Sequence, residues 1–202
     1  MEHTDIPIEK HPLPPFLPEG AHILMLGSFP PARKRWSMDF FYPNWINDMW
    51  RIIGLVFFDD KEHFVAEDAE GRKEKRFARK ICEGFADKAG IAMYDTACAV
   101  KRLKDNASDK FLEIVEATDL QDLLSRIPEC GAIVATGQKA ADVIVEMFGC
   151  DAPPVGGYTS CTFAHKTIRF WRMPSSSRAY PLPLEKKAEY YRKMFIKEGI
   201  LK

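Results

Sequence analysis

Three short runs of unbroken apolar residues punctuate the chain: Ile23-Leu24-Met25-Leu26, Ile91-Ala92-Met93-Tyr94 and Ala132-Ile133-Val134-Ala135. Glycine follows the first and precedes the other two. Runs this brief, apolar at every position rather than at alternate ones, predict strands buried on both faces of a parallel sheet. Between and after them apolar residues recur at helical spacing, which predicts helices over Asn47–Val56, Arg72–Lys88, Ser108–Glu116, Leu120–Ser125, Gln138–Phe148 and Leu184–Ile196. In the second of these Phe77, Ile81 and Phe85 fall four residues apart, and in the last Ala188, Tyr191 and Phe195 share a face. Ser160–Phe163 and Thr167–Arg172 are expected to form a hairpin or bent strand that closes the sheet. The polar stretch Asp59–Gly71 reads as a loop. The predicted fold class is α/β, a three-layer α/β/α sandwich around a central, mostly parallel four-stranded sheet. Residues 1–20 contain Pro12, Pro14, Pro15 and Pro18 and are expected to form an extended arm lying on the domain. Residues 21–202 are expected to form one domain.

Composition narrows the partners. At 202 residues and 46% hydrophobic the chain can bury one substantial core. Its formal charge is zero, so no global field draws it to nucleic acid, and such binding has to rely on local patches. Candidates are Arg33-Lys34-Arg35, Arg72-Lys73-Glu74-Lys75-Arg76 and Lys101-Arg102-Leu103-Lys104, although charged clusters of this kind commonly form solvated faces. The five cysteines are widely spaced, odd in number and without a Cys-x-x-Cys pair. That pattern argues against a zinc site, an iron–sulfur cluster and a disulfide framework, and for a reducing, cytoplasmic setting. The N-terminus has no apolar stretch of signal-peptide type, and no apolar run approaches the length of a membrane span. A soluble monomer with no metal and no cofactor is expected.

Two loops carry candidate chemistry. The first strand runs into Gly27-Ser28-Phe29-Pro30-Pro31, followed by Tyr42-Pro43-Asn44-Trp45-Ile46-Asn47-Asp48-Met49-Trp50; the last runs into Met173-Pro174-Ser175-Ser176-Ser177-Arg178. In an open α/β sheet the loops beyond the carboxyl ends of the strands form the binding crevice, so both can face one ligand. Three hydroxyls braced by proline and ended by a cation suit a loop that grips phosphates and sends one long side chain toward a duplex. Thr136-Gly137-Gln138-Lys139 opens a helix whose free amides can hold a phosphate, giving Lys139 a minor backbone role, but the spacing of a nucleotide P-loop is absent. Each piece also has an ordinary structural reading. Gly-Ser-x-Pro-Pro is a common turn, Pro-Ser-Ser-Ser a common helix entry, and Asn47 a helix N-cap.

Taken together, these motifs resemble the uracil-DNA glycosylase superfamily, in particular its thymine/uracil-mismatch and hypoxanthine-DNA glycosylase branches, from about Ile23 to the last helix. The mismatch branch has a similar Met-Pro-Ser-Ser-Ser motif followed by a small residue and arginine, which here stand in the opposite order as Arg178-Ala179. The family's aromatic, proline and later asparagine match Tyr42, Pro43 and Asn47, with Trp50 at its tryptophan. The first motif departs: Phe29 stands where mismatch enzymes have the asparagine that positions water, so that role is not carried over. The hypoxanthine branch is similar to Gly-Ser-x-Pro-Gly and gives weight to the asparagine corresponding to Asn47, and the Gly90–Asp95 strand and the surroundings of Cys98 look more like it. Pro31 replaces that branch's second glycine.

The resemblance implies a metal-independent DNA glycosylase acting on DNA that contains a deaminated base, uracil or hypoxanthine. Such chemistry requires the base to leave the stack and be held between an aromatic face and hydrogen-bonding groups. Gly27, Ser28, Phe29, Pro30 and Tyr42 are the candidate base pocket, with Tyr42 the stacking residue and Phe29 or Phe41 the alternatives. Asn47 can read the base edge or orient water. Positive charge developing on the sugar calls for a carboxylate; Asp39, Asp48 and Asp95 are available, and Asp95, at a strand end, is the best placed. Ser175, Ser176 and Ser177 are expected to hold phosphates and Arg178 to fill the vacated stack. His165, in an expected strand, reads as a surface or packed histidine. Two rivals follow from the same residues: a damaged-DNA binder without catalysis, and a small nucleotide or phosphate binder.

Overall fold

The computed structural model describes residues 6–104, 109–163 and 165–202, with Ser108 outside them. Its centre is a five-stranded sheet in the order β5 (Ile91–Asp95), β2 (Ile23–Gly27), β8 (Ala132–Ala135), β10 (Lys166–Arg172), β9 (Gly157–Phe163). The first four strands are parallel and β9 joins β10 as an antiparallel hairpin partner. The expected four-stranded sheet is thus corrected to five, because the C-terminal hairpin contributes both of its strands rather than one bent one. Ile23, Leu24, Met25 and Leu26 are all fully buried, as are Ile91, Ala92 and Met93. Successive side chains of a strand point to opposite faces, so both faces of this sheet are covered.

Among the described residues five α-helices accompany the sheet: α1 (Met49–Phe58), α2 (Arg79–Lys88), α3 (Leu120–Arg126), α4 (Gln138–Phe148) and α5 (Leu184–Lys197). α2 packs on β5, α4 on β8 and β9, and α1 lies against α5. The α1–α5 contact joins Phe57 to Phe195, ring centroids 5.0 Å apart, and Arg192 donates to the Leu55 carbonyl at 2.8 Å. A second, three-stranded antiparallel sheet is built from β1 (Ile8–Lys10), β6 (Ala97–Arg102) and β7 (Leu112–Ala117). Through β1 the proline-rich segment is tied to the body of the protein, and Phe16 pairs with Met93 further along.

Four sequence expectations give way here, the first being the loop over Asp59–Gly71, which contains a strand at Val65–Glu67. Arg72–Lys88 is not one helix: β4 (Lys73–Phe77) pairs with β3 (Val65–Glu67), and α2 begins only at Arg79. The hairpin is closed by turn chemistry at Asp68 and Gly71. The Asp68 carboxylate accepts from the amides of Glu70 and Arg72, and Gly71 has a φ of 75°. The basic run on β4 is largely neutralised by Arg72–Asp68, Arg72–Glu70, Lys73–Glu62 and Arg76–Glu74 pairs. Nor is Ser108–Glu116 a helix: a short 3-10 turn, Asp109–Phe111, leads into β7. There the β-branched Ile114 pairs with Val100 of β6, a partner no local pattern discloses, and Val115 falls at a shift of register. His165 sits in the β9–β10 turn with a φ of 70° rather than in a strand.

The end of α5 is docked by one carboxylate. Glu198, its side chain 2% exposed, accepts from Arg169 at 2.6 and 2.7 Å and from the Trp171 indole at 2.6 Å. Glu198→Ala strands a buried indole N–H and should cost about 1–3 kcal/mol, read as a lower denaturant midpoint at unchanged m-value.

Candidate active-site crevice

The carboxyl ends of the parallel strands open into a crevice of about 790 Å3. Strand register decides what meets there. Gly27, the last residue of β2, lies opposite Asp95, the last residue of β5, and Thr136 follows the end of β8 and donates from its amide to the Leu26 carbonyl at 3.0 Å. The absence of a side chain at Gly27 is required: a Cβ there would lie 2.3 Å from Asp95 Oδ1. Thr136 Oγ1 donates to the Leu26 carbonyl at 3.2 Å and meets the Tyr42 hydroxyl at 3.0 Å. Tyr42 itself holds a left-handed backbone, φ 53°, an uncommon conformation for a bulky residue and one that concentrates at binding sites. Burial pushes its phenol well above the usual tyrosine range, with Asp95 adding to the rise and the Thr136 hydrogen bond opposing it, so it remains a neutral donor.

The two motif loops are joined to each other. Asn47 bridges Ser177, the Asp48 amide donates to the Ser176 carbonyl at 2.9 Å, and the Trp50 indole holds the Phe41 carbonyl at 3.0 Å. Asp48 is buried and faces Arg178 at 3.1 Å, Lys187 at 3.5 Å and Arg51 at 3.9 Å. Lys187, 1% exposed, also donates to the Ser177 carbonyl at 2.7 Å, and the Tyr191 hydroxyl donates to that of Pro174 at 3.1 Å. The serine-rich loop is therefore held by α1 and α5 together. Its hydroxyls help shape it: Ser175 Oγ accepts from the Ser177 amide at 3.2 Å and Ser177 Oγ from the Ala179 amide at 3.3 Å, while Ser176 is buried.

Of the residues singled out in the sequence, Gly27, Ser28, Phe29, Tyr42, Asn47, Asp95, Lys139, Ser175, Ser176, Ser177 and Arg178 all line this crevice. Pro30 is buried behind it. Several are less free than their residue type suggests. Asn47 stands one residue before the helix N-cap, which is Asp48, and its Oδ1 accepts from the Met49 amide at 2.9 Å, which leaves its NH2 as the group to offer a ligand. Phe29 is 8% exposed and packs with Ala97, Val100 and Leu112, so it forms a wall rather than a free stacking face. Arg178 is folded onto Asp48, and the Lys139 ammonium donates to the Leu112 carbonyl at 2.7 Å. Asp39 is exposed and paired with Arg33 instead.

Sequence reasoning missed His11. It enters from the proline-rich segment and places Nε2 2.8 Å from Asp95 Oδ2, with its side chain 2% exposed. No spacing rule could have found it, because 84 residues separate the pair. The lining is also more basic than the neutral chain: Arg35, Arg102, Lys110, Lys139 and Arg178 against Asp95 and Asp142.

No protein-family model and no curated protein matches the chain. Among solved structures it is similar to the solution NMR structure of a protein from Methanosarcina acetivorans described as a putative uracil DNA glycosylase, with a TM-score of 0.62 and 20% sequence identity over 96% of this chain and 99% of that one. The two share a fold. At nearly full coverage of both, the likeness extends over the whole fold rather than over a fragment. No helix among the described residues is long and apolar enough to cross a membrane.

Gly27→Ala forces a methyl group into Asp95 Oδ1. It should lower stability by about 1–3 kcal/mol, measurable by chemical denaturation, whereas Gly131→Ala, where an added Cβ meets no atom within 4 Å, should change stability by less than about 0.5 kcal/mol.

Proposed function

We propose that the crevice is the base pocket of a DNA glycosylase that hydrolyses the N-glycosidic bond of a deaminated base, uracil or hypoxanthine, after flipping it from the duplex. The observation that carries this reading is the junction of the two loops: the Asn47–Ser177 bridge and the Asp48–Arg178 pair set a polar floor of Asp95, Thr136 and Tyr42 beside a serine-rich, cationic rim. The fold shared with a protein described as a putative uracil DNA glycosylase supports it. In this reading the chain is a single α/β/α-sandwich domain carrying an N-terminal arm, nearer the hypoxanthine branch because Phe29 replaces the mismatch-branch asparagine.

Each group then has a task. Tyr42 stacks on the extruded base, and the Asn47 NH2 donates to a base carbonyl, an acceptor that uracil and hypoxanthine both present. Asp95 faces the sugar, where a carboxylate stabilises the positive charge that develops as the glycosidic bond breaks. Ser175, Ser177 and Lys139 lie along the path of the phosphates. Arg178 enters the vacated stack by exchanging Asp48 for DNA, so its wedge role involves breaking a 3.1 Å ion pair whose arginine is half exposed.

A second reading, a lesion binder without catalysis, is favoured by the burial of Phe29, which supplies no polar group to a water. Alkaline cleavage of labelled duplexes and single strands carrying uracil, hypoxanthine, xanthine or thymine separates the two. The proposed function predicts strand breaks that depend on one lesion and persist in chelator; lesion-selective binding with no breaks supports the second reading. Asn47→Ala should reduce cleavage by at least about 100-fold with folding intact. Arg178→Ala should slow excision of a paired lesion more than it weakens binding of undamaged duplex. Phosphate contacts by three cations of the lining, Arg35, Lys110 and Lys139, predict a slope of log Kobs against log salt of about −3, whereas a free-nucleotide binder would show no preference for a lesion-bearing duplex.

A further inference from the structure

His11 is brought to the crevice floor by backbone pairing. β1 aligns Lys10 with Ala99, and the His11 amide continues the ladder by donating to the Cys98 carbonyl at 2.7 Å. Its ring is enclosed by Tyr94, Phe29 and Phe41, with centroids at 4.5, 5.4 and 6.3 Å, and Nδ1 is fixed by the backbone of Leu13, 2.8 Å from the carbonyl and 3.2 Å from the amide. The remaining nitrogen, Nε2, meets Asp95 Oδ2. Facing an ionised carboxylate, which only accepts, Nε2 serves this contact as the donor when it carries the ring proton. With Oδ2 held in this way, Oδ1 is left over the bare Gly27 backbone at the crevice floor.

We infer that His11 is a positioning residue for Asp95. The inference rests on the glycosylase reading. By donating to Oδ2 it fixes the carboxylate plane, so that Oδ1 faces the reacting sugar without having to reorient during the reaction, the preorganisation that makes buried electrostatic catalysis effective. In the step it serves, a water oxygen bonds to C1′ while the C1′–N bond breaks and its electron pair departs with the base. Asp95 Oδ1 takes the water proton and returns it to solvent, and the base takes one up, so that one water is consumed. Phe29 acquires a purpose here: where a mismatch glycosylase has a water-holding asparagine, this chain has a ring that walls in the histidine.

The test uses the full chain under single-turnover conditions, with excision rate and lesion-duplex Kd measured separately. His11→Phe keeps an aromatic ring in the box but removes the donor. It should lower the excision rate by about 10- to 100-fold with Kd within about twofold and a folded protein at the assay temperature, and His11→Gln, which restores an N–H, should recover most of the loss. Wild-type rate in His11→Phe, or a loss fully matched by weaker binding, overturns the inference; if the phenylalanine variant does not fold, a glutamine variant no better than His11→Ala does the same. Absence of excision by the wild-type protein would instead defeat the glycosylase reading. The contact is then judged by 15N NMR of the imidazole, whose Nε2 resonance should move on Asp95→Asn; no movement overturns the contact itself.

Discussion

Everything at the crevice depends on the register of β2 against β5. Parallel pairing sets Gly27 opposite Asp95, and only a residue without Cβ lets Oδ1 settle over the strand end. One residue of slippage would replace glycine with Leu26 or Ser28 and turn the carboxylate to the other face of the sheet. Both strands are enclosed on both faces, Ile23–Leu26 and Ile91–Met93 being fully buried, so a slip would require the close-packed layers on either side to repack. The core thus does more than stabilise the fold: it sets the position of the group with the most chemistry.

Around this fixed floor the protein builds two walls of different character. The Tyr42–Trp50 and Met173–Arg178 loops are joined through buried Asp48, whose cationic neighbours come from α1, α5 and the serine loop itself. A buried carboxylate deprived of its cations is costly, so this hub holds the loops together as one unit. Burial lowers the Lys187 pKa while Asp48 raises it, the first effect being the larger, and Arg51 is lowered by burial and by Arg178. Of the cations crowded around this one acid, Arg178 is the most exposed.

Much of the fold was legible because its signals are local. Four-residue apolar runs marked the parallel strands and their order of appearance, and Gln138–Phe148 carried a clear helical period. What failed were segments whose structure is decided by a partner. Lys73–Phe77 has the spacing of a helix but pairs with β3, and Leu112–Ala117 is a strand because β6 lies beside it. The site shows the same division. Gly27, Tyr42, Asn47 and Ser175–Arg178 could be singled out because they sit in motifs, whereas His11 could not: its importance comes from a sheet pairing that carries it to a residue 84 positions away. Its proline-rich setting read as a passive arm, because proline signals extension and says nothing of what the extended segment touches.

The glycosylase reading requires a flipped base to occupy this floor. Backbone amide NMR of 15N-labelled protein, titrated with a duplex carrying a 2′-fluorinated uracil or hypoxanthine nucleoside that resists cleavage, tests that directly. The predicted result is a set of shifts centred on Gly27–Phe29, Tyr42–Asn47, Asp95 and Ser175–Arg178, stronger with the lesion than with undamaged duplex. Shifts confined to the β3–β4 hairpin or spread evenly over basic surface residues, with the floor unmoved, would contradict it.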